Sequence, residues 1–187
     1  MNCLISLALY IAVWFKYRKY KFCSIGVRCN YKSLRSSFLY SEKITLSDDV
    51  QIGPSVIFDG AGGINVGRGT IIAPEVIIYS RTHNFDNDLS ALPFDNVMLT
   101  APVNIGEYVW IGTRVIILPG VTIGDGAIIG AGAVVAKAIP SCAVVVGNPG
   151  RVIRYRNQET FDKLQLENNP FVFSRYAHNK IFKPKST

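Results

Sequence analysis

With 187 residues, 49% of them hydrophobic and 18% charged, the chain is long enough for one domain with a sizeable core and too apolar to be disordered. Much of its formal charge of +7 gathers in a cluster at Lys16, Arg18, Lys19 and Lys21 and in a tail from Arg151 to Lys185, leaving the middle near neutral, which argues against a broad nucleic-acid groove. Cys3, Cys23, Cys29 and Cys142 have neither the spacing of a zinc site nor the density of a disulfide framework, so a reducing cytoplasm is the expected compartment.

The first predicted element is an apolar run from Leu4 to Phe15, about twelve residues against the roughly twenty of a bilayer span. No positive residue precedes it and no small-residue cleavage site follows, so neither a span nor a cleaved signal is expected. Two readings stay open. One is a short helix that plugs the open end of the core; the other is a helix on a membrane surface, with residues 4–21 in contact and the basic flank toward the lipid.

Weak echoes of a six-residue apolar repeat begin at Ile25-Gly26. The repeat becomes regular in two pieces, Leu46, Ile52, Phe58 and then Val66, Ile72, Ile78, with a two-residue slip near Asn65. Between His83 and Pro102 the period lapses, and the polar stretch from Asn84 reads as an external loop, 84–102, leaving one corner of the repeat structure. His83 stands where the coil gives way to that loop, in Ser80-Arg-Thr-His-Asn-Phe-Asp86. An imidazole titrates near neutral pH and suits removal of a proton from a hydroxyl, although a lone loop histidine is more often inert.

From Ile105 the register is unbroken: Ile105, Ile111, Ile117, Ile123, Ile129 and Val135 open successive blocks of six, and Gly follows in four of them. Three short strands joined by tight bends give a triangular coil of 18 residues, and such coils stack at the strand spacing of about 4.8 Å. The opening aliphatic points inward, the next residue is crowded by neighbouring coils and favours Gly, and the small fifth residue also points inward. A flat parallel sheet is the structural competitor, but no helical stretch separates the apolar runs. The reading is an all-β parallel β-helix over 44–156, preceded by a helix and lead-in segment, 1–43, and followed by a tail, 157–187, with a short helix at 157–168. Spacing does not give the hand of the coil.

The run Val103-x-Ile-Gly-x-x-Val-Trp110-Ile-Gly, then Ile117-Leu-Pro-Gly-Val-Thr-Ile-Gly, Ile129-Gly-Ala-Gly-Ala-Val-Val, Lys137 and Gly147-Asn-Pro-Gly-Arg151-Val-Ile-x-Arg154, resembles the galactoside and maltose acetyltransferases and the surface-polysaccharide O-acetyltransferases of the hexapeptide-repeat family. The resemblance implies a left-handed coil, a homotrimer with active sites between neighbouring prisms, and acetyl-coenzyme A along the groove between them. In the family the catalytic histidine falls eleven positions after the Ile of an Ile-Ala-Pro segment, and Ile72-Ala-Pro leads to His83 at that distance. The same resemblance places Asp59 on the acceptor side, where the plainer reading is a corner-turning Asp, and makes Trp110 part of the active-site wall rather than a surface aromatic. It assigns coenzyme contacts to Thr113, Ala131, Ala136, Lys137, Arg151 and Arg154. Ala136 stands where the family commonly has Thr, and Gly150 where Ala is frequent.

The implied reaction is acetyl transfer from acetyl-coenzyme A to a hydroxyl of a sugar or lipid-linked polysaccharide precursor, with His83 as general base and direct attack on the thioester. An amino-sugar amine is the alternative acceptor. A γ-class carbonic anhydrase on the same repeat needs three metal-binding histidines, whereas this chain has only His83 and His178, so no metal is expected. A non-enzymatic binding or assembly solenoid is the remaining rival; it leaves the ordered motif set unexplained. The expected location is the cytoplasm, at the inner membrane face if the N-terminal helix lies on lipid.

Overall fold

The computed structural model describes residues 2–86 and 88–168; the expected tail beyond them, with His178, lies outside the described residues. Three faces of short parallel strands make the body. Face A stacks Ser24–Ile25, Ile44–Leu46, Ile64–Val66, Val103–Ile105 and Thr122–Ile123. Face B stacks Gln51–Ile52, Ile71–Ile72, Trp110–Ile111, Ile128–Ile129 and Ala143–Val146, and face C stacks Ser37–Leu39, Ile57–Asp59, Ile77–Tyr79, Ile116–Ile117 and Val134–Val135. The chain visits A, B and C in turn and is a left-handed parallel β-helix.

The repeat dictates this path because each coil buries its block-opening aliphatics. Ile111, Ile117, Ile123 and Ile129 are buried, as are Val109, Val115, Ala127 and Ala133 at the fifth positions. Each large aliphatic so buried contributes about 1.5–3 kcal/mol relative to exposure. Crowding at the second position is real: a Cβ on Gly106 would lie 2.3 Å from Asp125 Oδ1, and one on Gly112 would lie 2.6 Å from the Ala131 backbone nitrogen. The left-handed backbone, however, falls at the fourth position, at Asp49, Ser55, Glu75, Tyr108 and Arg114, with glycine taking the same role at Gly120, Gly126 and Gly132.

Coil length changes along the axis. Before the loop, partners on adjacent coils are twenty residues apart (Ile57 with Ile77, Ile44 with Ile64); after it they are eighteen apart (Trp110 with Ile128, Ile116 with Val134). The two additional residues sit at the corner from face C to face A, in Gly60–Gly63, and account for the slip near Asn65. At the same corner, one coil later, the loop leaves as a hairpin in which Arg81–His83 pairs antiparallel with Met98–Thr100. The departure is thus at Ser80, ahead of the expected 84, and the coil closes beneath the hairpin through the Ala101 N–H, which donates to the Ser80 carbonyl at 2.9 Å.

Helix α1, Asn2–Tyr17, packs on the solenoid through its last turns, with Val13 and Tyr17 against the core. Tyr17 is buried and, with Tyr20, Phe22, Tyr31 and Phe38, forms an aromatic plug over the first coil, continued inward by Phe38 against Phe58 with ring centroids 5.2 Å apart. The Lys16 ammonium donates to the Leu34 carbonyl at 2.6 Å and to the Ser36 carbonyl, and the Tyr17 hydroxyl accepts from Ser33 N–H at 2.9 Å. At the other end Arg151–Tyr155 turns back antiparallel on Ala143–Val146. Helix α2, Gln158–Leu166, follows; Asn157 caps it by accepting from Thr160 N–H at 2.7 Å, and Phe161 is buried over Gly126.

Candidate active site

The corner where face C passes into face A gathers most of the chemistry. Asp59 ends its strand beside Tyr79 of the next coil, and its carboxylate is buried. Ser80 beneath it is fully buried; its hydroxyl donates to the Asp59 carbonyl at 2.6 Å and accepts from Gly62 N–H at 2.8 Å. A Cβ on Gly62 would lie 2.3 Å from the Ser80 carbonyl oxygen, so this close approach requires glycine. The corner is therefore fixed from both coils before the hairpin begins.

Strand alternation then puts Arg81 and His83 on one side of the hairpin. Arg81 Nε donates to Asp59 Oδ2 at 2.8 Å, and the carboxylate raises the pKa of this guanidinium above its ordinary value. The same guanidinium lies over the Tyr40 ring at 5.0 Å. His83, opposite Met98 in the ladder, is exposed and stacks on Phe94 from the loop. Asp95, next to Phe94, accepts from Val97 N–H at 2.9 Å and from the Asn84 amide at 3.1 Å; the backbone N–H bond comes first among the causes that hold its carboxyl below the usual range. Asp59, Tyr79, Arg81, Thr82, His83 and Met98 line one open cavity of about 410 Å³.

Of the residues expected at the site, His83 and Asp59 are brought together. Trp110 is not: it stands 54% exposed on face B and lines a separate groove of about 350 Å³ with Tyr108, Phe161 and Leu164 of the α2 side. The expected coenzyme contacts divide between the two edges of face C. Ala136 and Lys137 are exposed on the edge that carries the hairpin, two coils further along the axis. Thr113 and Ala131 stack on the opposite edge, where the Thr113 carbonyl accepts from Gly132 N–H, and the turn before Arg151 continues that edge through the Gly147 carbonyl, which accepts from Val134 N–H at 3.0 Å. Arg151 and Arg154 are exposed, and among the described residues each guanidinium makes a 3.4 Å contact to a neighbouring carbonyl.

Arg81, Phe94 and Asp95 were absent from the sequence-level site. Arg81 had a readable signal, since it lies two residues before His83 in a strand. Phe94 and Asp95 had none, because loop closure alone brings them to the histidine.

The description "Bacterial transferase hexapeptide (six repeats)" matches residues 102–137. Galactoside O-acetyltransferase of Escherichia coli K12 is 34% identical over 143 residues, 66% of this chain and 69% of that protein. Nodulation protein L of Rhizobium meliloti is 47% identical over 97 residues, 52% of this chain and 51% of that protein. Several other curated relatives are matched over roughly three fifths of their length. Among solved structures, a variant of the N-acyltransferase AntD from Bacillus cereus, in complex with dTDP-4-amino-4,6-dideoxyglucose and coenzyme A, superposes with a TM-score of 0.64 and 25% identity over 86% of this chain and 96% of its own. Taken with the three-faced solenoid and its inward aliphatic register, these likenesses establish that the chain belongs to the hexapeptide-repeat acetyltransferase family.

Proposed function

We propose that the protein transfers an acetyl group from acetyl-coenzyme A to a hydroxyl of a saccharide acceptor, with His83 as general base, in a site completed by a neighbouring copy. The observation that carries this reading is the shared cavity in which an exposed imidazole faces the Asp59–Arg81 ion pair. A carboxylate and a guanidinium present acceptor and donor groups to sugar hydroxyls, while the imidazole stands free to take a proton.

In the reaction, His83 removes the acceptor proton as the oxygen attacks the thioester carbonyl. The tetrahedral intermediate collapses with cleavage of the carbon–sulfur bond, and the imidazolium returns its proton to the departing thiolate. Products are an acetyl ester and coenzyme A. No residue of the chain is acylated.

The geometry of a single protomer supports a homotrimer as the working assembly. Trp110 lies on face B, away from the His83 cavity, and the coenzyme-contact positions flank face C on two edges, so no one protomer encloses them. Outward side chains of face C, Ile57, Ile77, Ile116 and Val134, form an aliphatic stripe, whereas face A shows Thr45, Asn65, Asn104 and Thr122 outward. A groove between neighbouring prisms joins the two edge sets and covers apolar surface. The exposed Lys137, Arg151 and Arg154 supply cations for the phosphates of the coenzyme.

The test is thiol release from acetyl-coenzyme A across a panel of galactosides, maltosides and nucleotide-activated sugars, with mass spectrometry of the product. Acetyl transfer to a hydroxyl of at least one saccharide is expected; turnover unchanged in His83→Ala overturns the assignment of the base. Likeness to the AntD complex favours a second acceptor, an amino-sugar amine. Alkali-stable acetylation identifies an amide and selects that reading.

A further inference from the structure

The start of the chain carries positive charge with no acid to offset it. The first 41 residues hold Lys16, Arg18, Lys19, Lys21, Arg28, Lys32 and Arg35 and no acid, while the rest of the chain has 13 cations and 13 acids. Two of the seven are committed: Lys16 to the Leu34 and Ser36 carbonyls, Arg28 to Asp49. Arg18, Lys19, Lys21, Lys32 and Arg35 are exposed around the foot of α1.

From that basic collar α1 projects with its apolar surface uncovered. Tyr17 is buried and Val13 partly so, but Leu7, Tyr10, Ile11, Trp14 and Phe15 are all exposed, and their spacing sets them on one face of the helix, beside the Val13–Tyr17 line that meets the solenoid. The helix therefore is not the plug of the core; its last turns and the aromatic cluster are. Along the chain the order is aliphatic, then aromatic at Trp14 and Phe15, then basic. This matches the depth profile of a lipid leaflet, where acyl chains give way to an interface that favours Trp and then to headgroups that attract Lys and Arg. Arg18 stacks over Trp14 at 4.9 Å, which places the first free cation at the aromatic level. Sixteen residues of helix extend about 24 Å, short of the roughly 30 Å hydrocarbon core. Among the described residues, no helix is long and apolar enough to cross a membrane.

We infer that α1 is a monotopic anchor that buries its apolar length in one leaflet of an anionic bilayer, with the collar of Arg18, Lys19, Lys21, Lys32 and Arg35 against acidic headgroups. Anionic lipid, rather than a second copy of the chain, is the occupant because the collar would repel its own like. The bolts from Lys16 and Tyr17 to the 31–36 segment fix the helix to the solenoid, so anchoring also sets the orientation of the prism on the membrane. Binding depends on nothing in the acetyl-transfer reading.

The experiment is flotation of the full-length protein with vesicles of phosphatidylcholine alone or with 30 mol% phosphatidylglycerol. Binding is expected to the anionic vesicles, weakened by salt, and lower by about tenfold or more when Arg18 and Lys19 are both changed to Glu. Leu7→Glu with Ile11→Glu is expected to abolish it while the far-ultraviolet spectrum and thiol release on a soluble acceptor stay as in the parent. Equal recovery from both vesicle types, or undiminished binding in the Leu7/Ile11 variant, overturns the anchor. So does concentration-dependent self-association through α1 without vesicle binding, which identifies a second copy as the occupant.

Discussion

The rings of His83 and Phe94 lie face to face, centroids 3.9 Å apart and planes inclined by 24°. Phe94 belongs to the loop and His83 to the hairpin stem, so the imidazole is held from a segment that only loop folding brings near. His83→Ala is expected to lower turnover by roughly two to four orders of magnitude, the usual worth of a general base, with coenzyme binding and thermal stability retained. Phe94→Ala should cost about tenfold in kcat, with little change in the KM for acetyl-coenzyme A, because it releases the orientation of the ring and not its chemistry. Phe94→Tyr, which keeps the stacking face, is expected to restore most of that loss.

Asp59 and Arg81 are expected to act as one unit toward the acceptor. Removing either leaves the other charged and poorly solvated at the cavity, so Asp59→Asn and Arg81→Ala should each raise the acceptor KM by about tenfold. The double variant should do little worse than the singles, and steady-state kinetics on the four proteins measures that coupling. Fully additive losses would show that the pair does not face the substrate together.

Arg151→Ala and Arg154→Ala are expected to weaken acetyl-coenzyme A and leave the acceptor KM unchanged. Both side chains are exposed, so each should cost no more than about fivefold, the upper end for a solvent-screened pair. A loss beyond about tenfold in either variant would mean that the neighbouring protomer desolvates the contact. Titration calorimetry with coenzyme A reads this directly.

Stability on the acid side should depend on Asp49. Its buried carboxylate is held by the Arg28 and Arg68 guanidinium groups, which lower its pKa, with the Arg28 hydrogen bond as the leading cause. A depressed carboxyl pKa contributes stability that is fully present above the unfolded value of about 3.9 and is lost as pH falls through the folded value. The melting temperature of the parent should therefore fall below about pH 4 more steeply than that of Asp49→Asn, which starts lower and follows a flatter course.

The repeat made the body of the fold legible, because Ile105 to Val135 repeat the inward aliphatic without interruption. The corner chemistry was harder. Glycine at the second position drew attention to that site, yet the left-handed backbone lies two residues later, where Asp49, Ser55, Tyr108 and Arg114 give no consistent residue type to read. At the site, His83 was singled out by a family resemblance in its distance from Ile72-Ala-Pro, whereas Arg81 was missed although its place two residues earlier in a strand offered a signal. Phe94 and Asp95 were hidden by the loop's irregular path, and Trp110 was assigned to a wall that no single protomer builds. At the N-terminus, composition showed a basic apolar helix, but which of its residues plug the core depends on the turn after Tyr17 that folds Tyr20 and Phe22 back over Phe38.

Ala101 already bonds to Ser80 beneath the hairpin, so residues 81–100 hang from the solenoid as a self-closed attachment. Both irregularities of the coil, the two additional residues at Gly60–Gly63 and this hairpin, fall at the same corner and leave the inward register of the neighbouring coils undisturbed. The solenoid's three inward aliphatic rows run on without a break, while one corner holds both a two-residue addition and a twenty-residue hairpin, so chain length can change at that corner without any change in the core.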